Sequence, residues 1–309
     1  MKNRKIELLS FFWMLAMVVL HADLGSSPSW YNELLSDFRC GGVSYFFAVS
    51  GYFFAKRYGQ EPLSQWWLRE MRKRLRTLGI PYVLWCAIGW NGGGVLSSFG
   101  LVCVMPEANY PLWYIKHLLV FCAISPLVIW PLQRLSQTAF LFPAFLLAVV
   151  GLPWAPIPFK FGFVLSFLMF AFGIALALRG QKPGLGMKTI PALFALWLTF
   201  HALHAAFAGK CGFVDWPLRV YSATTLVLLL WVAVECIGEV RSLPAFCGMT
   251  FFVYCSHCPM LRHLRLFSAL GTTGVVLDGL LAAAACLAVA AILRRWANPV
   301  YRVLSGGRC

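Results

Sequence analysis

The stretch "ELLSFFWMLAMVVLHAD", residues 7–23, decides what kind of molecule this chain is. It belongs to an apolar run over 6–24, close to the roughly 20 residues a helix needs to cross about 30 Å of hydrocarbon. His21 sits near the end of the run, and Asp23 follows two residues later. The run opens with MKNRK and has no small-x-small cleavage site after its apolar core, so it is expected to be a retained helix rather than a removed signal.

The rest of the chain repeats that pattern. Of 309 residues, 60% are hydrophobic and 12% charged, with a mean hydropathy of +0.74. Soluble domains carry about 25% charged residues, so these charges are too few to cover a water-facing surface. The apolar runs predict an all-α, polytopic membrane helix bundle of about ten transmembrane helices. They lie near 6–24, 42–55, 78–96, 111–132, 139–156, 160–178, 190–208, 218–238, 246–261 and 273–293. The second is short for a span and is expected to be tilted, broken or re-entrant. No soluble domain, low-complexity tail or internal repeat stands out, so residues 1–309 read as a single integral-membrane domain.

The net charge of +15 follows topology rather than a nucleic-acid surface. With alternating spans and an inside N-terminus, 19 of the 26 basic residues fall in inner segments. That positive-inside bias predicts a multi-pass protein of the cell (inner) membrane with both termini cytoplasmic and a 25–40 loop outside. Most of the 11 cysteines lie inside apolar runs, where cysteine acts as a small hydrophobe. Cys40, Cys103 and Cys211 fall in expected outer loops and are open to pairing.

Several groups are candidates for chemistry. His21 shares a helical face with Met17, Met14, Ser10 and Glu7. An ionisable group at that depth marks a bundle interior or wet cavity, or else caps the helix at the headgroups. In "LREMRKRLRTLGIPYVLW", residues 68–85, Arg69, Arg72, Lys73, Arg74 and Arg76 crowd the cytoplasmic start of a helix opening Ile80-Pro81-Tyr82. Arginines beside a helix N-terminus suit phosphates, while an inside loop touching anionic lipid is the alternative. In "VSYFFAVSGYFFAKR", residues 43–57, Ser50-Gly51 reads as a close helix contact.

Trp113, Tyr114, Lys116 and His117 open a span at its outer end, where an aromatic belt accounts for the first two. "TFFVYCSHCPML", residues 250–261, carries His257 between Cys255 and Cys258. A zinc site takes four ligands, usually as two spaced pairs, and no second pair stands elsewhere, so no metal is expected. His201 and His204 share a helix face with no carboxylate near them in the chain.

Together these pieces resemble the acyltransferase type 3 family of integral-membrane O-acyltransferases. The resemblance rests on "ELLSFFWMLAMVVLH", "YFFAVSGYFF", "RKRLRTLGIPYVLW", "LWYIKHLL" and "FFVYCSH", in this order and over nearly the whole chain. It implies about ten helices, a catalytic histidine at His21, and further site residues at His257 and at Trp113, Tyr114 and Lys116. It also implies that Arg72 and Arg76, with Pro81, meet acyl-CoA on the inner side, where Arg69 of the same basic cluster also stands as a candidate for its phosphates. One departure is Ser10, where the family commonly carries a basic residue; Arg39 is the candidate to substitute for it.

Acyl transfer from a thioester to a hydroxyl needs a base that takes the hydroxyl proton, and donors for the oxyanion. His21 suits the first task; Lys116, Arg39 or Tyr114 suits the second. The expected donor is acyl-CoA, with acetyl-CoA foremost, and the expected partners are membrane lipid and a glycan or glycolipid acceptor. A small-molecule transporter is the alternative. It would also have buried polar residues, but should show broken helices related by an internal repeat.

Overall fold

A computed structural model of the protein describes residues 4–22, 29–59, 61–89, 107–136, 160–180, 186–207 and 212–307. Among these residues every regular element is helical. In chain order the helices are α1 (Arg4–Ala22), α2 (Ser29–Ala55), α3 (Leu63–Arg74), α4 (Ile80–Ile88), α5 (Trp113–Ile124) and α6 (Pro126–Arg134). They continue with α7 (Lys160–Arg179), α8 (Ile190–Phe207), α9 (Gly212–Cys236), α10 (Thr250–His263), α11 (Gly271–Trp296) and α12 (Asn298–Leu304).

Four of the described segments are long and apolar enough to cross a membrane: Arg4–Ala22, Met187–Phe207, Trp216–Cys236 and Gly271–Trp296. A fifth is a pair bent by 50°, Asn109–Ile124 with Pro126–Arg134. Pro126 supplies the break, because it has no N–H to continue the ladder. Gly162–Leu178 is a shorter apolar helix. The expected span at 139–156 and Asp23 lie outside the described residues, as do Cys103 and Cys211.

The chain forms two compact units. The first comprises Met1–Pro28, Arg69–Leu119 and Val240–Cys309. Within it α1 packs on α11 and α10, and α12 packs on α4 and α11. Ile6, Phe11, Met14, Met17 and Val18 form the buried side of α1. At Gly279 on α11, an added Cβ would stand 2.6 Å from the Val19 Cα, so only glycine lets α1 come so near.

The second unit comprises Ser29–Leu68 and Val120–Glu239. Here α2 and α7 touch backbone to backbone: a Cβ at Gly51 would lie 2.1 Å from the Phe170 carbonyl oxygen, and one at Gly173 1.9 Å from that of Ala48. The close contact expected at Ser50-Gly51 is therefore made by Gly51. Phe47, Phe54, Phe121 and Phe170 fill the space beside it, with ring centroids 5.2 Å apart for Phe47–Phe121 and 5.8 Å for Phe121–Phe170.

Two expectations are corrected. The stretch placed in an outer loop at 25–40 is helical from Ser29, continuous with the apolar run at 42–55, so the short second span is the end of a 27-residue helix. Asp37 and Arg39 lower the local hydropathy and hid this, but Asp37 is buried and bonded to histidines. The basic segment also does not precede a helix start. α3 runs through a π-helical turn at Leu75–Gly79 straight into α4, and the Ile80 N–H bonds the Leu75 carbonyl. Pro81 accounts for the wide turn, because it lacks an N–H for the regular register. No open N-terminal amides face a phosphate there; the arginines alone would hold one.

Candidate active site

The expected site residues all fall in the first unit: His21, Arg69, Arg72, Arg76, Lys116 and His257. His21 lies in the last turn of α1, and its Nδ1 is 2.6 Å from the Met17 carbonyl oxygen. A carbonyl only accepts, so Nδ1 carries a ring proton. The helix thus orients the ring through Nδ1, with Nε2 on the far side of the imidazole.

His257 repeats the arrangement on α10. Its Nδ1 lies 2.6 Å from the Tyr254 carbonyl oxygen and 3.2 Å from that of Val253. The side chain is fully buried, and Nε2 has no hydrogen-bond partner among the described residues. A buried acceptor without a donor costs about 1–3 kcal/mol, so the position asks for a donor that arrives with substrate or with a proton. The rings of His21 and His257 stand 5.2 Å apart, centroid to centroid. The structure therefore brings together two histidines from opposite ends of the chain, both in the same tautomer.

Tyr254 sits one turn before His257, with ring centroids 6.2 Å apart, and stacks edge-on against Tyr114 at 5.5 Å. Its hydroxyl donates to the Pro111 carbonyl. Pro259 removes the N–H that would bond the Cys255 carbonyl, and the buried Asn109 fills that gap, its Nδ2 donating at 3.0 Å. These contacts tie the turn before α5 to α10. Trp113 packs edge-on against His117 at 5.1 Å, and Lys116 is half-buried on the same helix.

Sequence reasoning passed over Tyr254, Asn109 and Asp278. Asp278 is 3% exposed within the apolar run of α11, and its Oδ1 accepts the N–H groups of Leu266 and Phe267 at 2.9 and 3.0 Å. It anchors the chain leaving α10. A lone carboxylate in an apolar span was the available signal.

Arg69, Arg72 and Arg76 are exposed and share one face across α3 and the π turn. Arg72 and Arg76 make no hydrogen bond or ion pair to a described residue, so their guanidinium donors are open to an anion. Arg39 belongs to the second unit, and its Nε donates to the Leu35 carbonyl of its own helix at 3.3 Å. Ser10, where a basic residue was expected from the resemblance, buries its hydroxyl oxygen without a hydrogen bond to a described residue.

No curated protein and no solved structure matches the chain. A family model described as an acyltransferase domain matches residues 3–295. That match, with the apolar helices, does not favour a transporter. Two imidazoles, each oriented through Nδ1 by a backbone carbonyl, are groups that acyl transfer can use, and the chain belongs to the type 3 family of acyltransferase domains, as a membrane acyltransferase.

Proposed function

We propose that the protein moves an acetyl group from acetyl-CoA at the cytoplasmic face to a hydroxyl of a glycan or glycolipid on the outer side. The observation that carries this is the His21–His257 pair, with both Nδ1 atoms held by backbone carbonyls. His21 Nε2 takes the acceptor's hydroxyl proton as its oxygen bonds the thioester carbonyl carbon. The carbon–sulfur bond then breaks, and the imidazolium returns the proton to the departing thiolate, so the reaction balances with no other reactant. His257 Nε2 takes a hydrogen bond from the protonated His21 or from the hydroxyl. Lys116 and Tyr114 supply donors for the oxyanion.

Arg69, Arg72 and Arg76 hold the phosphates of the donor through charge-assisted hydrogen bonds. In this reading residues 1–309 are one membrane domain of about ten helices in the inner membrane, with both termini cytoplasmic. The basic excess of the inner segments supports that orientation. A cysteine placed at Lys73 should react with thiol reagents only from the cytoplasmic side; labelling from outside would overturn the topology.

The reaction is tested with purified protein, [14C]acetyl-CoA and a detergent extract of the producing cell's membranes. Alkali-labile label in the extract is expected, as an O-acetyl ester gives. Label that resists alkali, or none, would overturn the reading.

A further inference from the structure

The second unit holds a charged cluster that the chemistry at His21 does not use. Asp37 on α2 and His204 on α8 are each 1% exposed. His201 Nδ1 lies 2.7 Å from Asp37 Oδ2, and His204 Nδ1 lies 3.3 Å from the same oxygen. A carboxylate only accepts, so both rings carry their proton on Nδ1. Arg219 Nη2 on α9 lies 3.5 Å from His204 Nε2 and donates to it. His204 is therefore engaged at both nitrogens.

His201 is engaged at one. Its ring stacks on Trp197, with centroids 5.8 Å apart and planes 13° apart, and no described residue takes its Nε2. The side chain is 16% exposed, so the ring stands at the edge of the core rather than inside it. Holding α2, α8 and α9 together needs only Asp37, His204 and Arg219. The second imidazole adds an oriented acceptor at the edge of the cluster.

The charge balance selects what that acceptor takes. Asp37 and Arg219 lie on either side of His204, one carboxylate and one guanidinium, so the cluster offers an ionic ligand no net charge, and the neutral imidazole with its proton on Nδ1 presents Nε2 as an acceptor. A neutral hydroxyl fits.

We propose that Asp37, His201, His204 and Arg219 form a hydroxyl-binding site, in which His201 Nε2 accepts the hydrogen bond of an alcohol on the acyl acceptor. This rests on reading the acceptor as an alcohol. Asp37 is a positioning residue that fixes the His201 tautomer; His204 holds Asp37, and Arg219 holds His204 in turn.

The test uses the full chain in lipid nanodiscs and diethyl pyrocarbonate, which acylates an imidazole lone pair, with the modified peptides read by mass. His201 should react about tenfold faster than His204, the factor expected when one ordinary hydrogen bond occupies the second ring. The membrane extract should slow reaction at His201, and should cease to do so once its hydroxyls are exhaustively O-acetylated. In acetyl-transfer assays with the same extract, His201→Gln and His201→Phe should raise the KM for the extract and leave that for acetyl-CoA unchanged; His201→Phe keeps the stack on Trp197. His201 reacting no faster than His204, an extract that gives no protection, protection that survives O-acetylation, or an unchanged extract KM in both variants would overturn the site. Should the wild type transfer no acetyl while the protection holds, acyl transfer falls and the hydroxyl site stands.

Discussion

The two units each hold a pair of histidines, and the pairs differ in what occupies Nδ1. In the first unit His21 and His257 each donate from Nδ1 to carbonyls of their own helices. In the second, His201 and His204 share one carboxylate, with Arg219 on the far nitrogen of His204. A backbone carbonyl orients an imidazole and leaves the neighbouring helices independent of it. A carboxylate orients it and binds three helices together. One arrangement suits a base that must change its protonation during a reaction; the other suits a fixed scaffold with a single open nitrogen.

The strongest way to break this contrast is to remove the base. His21→Gln should lower acetyl transfer by about 10²–10⁴, the usual contribution of a general base, while the protein stays inserted and binds acyl-CoA. Near wild-type rates in a well-expressed variant would leave the first pair no more catalytic than the second.

The donor side comes next. Arg72→Ala and Arg76→Ala should each weaken acyl-CoA binding by about 1.5–3 kcal/mol, the range for hydrogen bonds to charged groups. Isothermal titration in nanodiscs reads this directly. Unchanged affinity in both would reduce the basic face to a topology signal.

Asp37→Asn sharpens the other half of the comparison. It keeps the shape but removes the charge that His201 and His204 bond, and should reduce stability by about 1–3 kcal/mol. Denaturant unfolding in mixed micelles is the measurement, and acyl-CoA affinity should not change. Loss of donor affinity without loss of stability would reverse the roles assigned to the two clusters.

The smallest effect belongs to Ser10→Ala. The Ser10 hydroxyl makes no hydrogen bond to a described residue, so stability should stay within about 0.5 kcal/mol and the transfer rate should be little altered. A large fall in transfer would show that Ser10 carries a task the family commonly gives to a basic residue.

Much of this was legible along the chain. The all-helical membrane character follows from apolar runs and scarce charge, which act locally and need no partner. His21 and His257 stood out because an ionisable ring in an apolar helix is conspicuous wherever that helix packs. Gly51 marked a close contact for the same reason: a missing side chain is visible without knowing what approaches it.

Other features depended on which helices meet. Asp37 read as a loop residue because hydropathy counts a charge at its cost in water, whereas two histidines 164 and 167 residues away satisfy it. Asn109 gained its role from a carbonyl that Pro259 leaves open 146 residues later. Arg72 and Arg76 were assigned to a helix start, but α3 continues through the π turn and their exposed face replaces it.

By itself the sequence determined the helices, their apolar character, the family and the residues able to do acid–base chemistry. Only the tertiary structure decided that His21 meets His257, and that His201 and His204 meet Asp37. Apolar helix faces are nearly interchangeable as packing partners, so hydropathy does not say which will touch. Hydrogen bonds between single polar atoms do, because each needs one donor and one acceptor within about 3 Å.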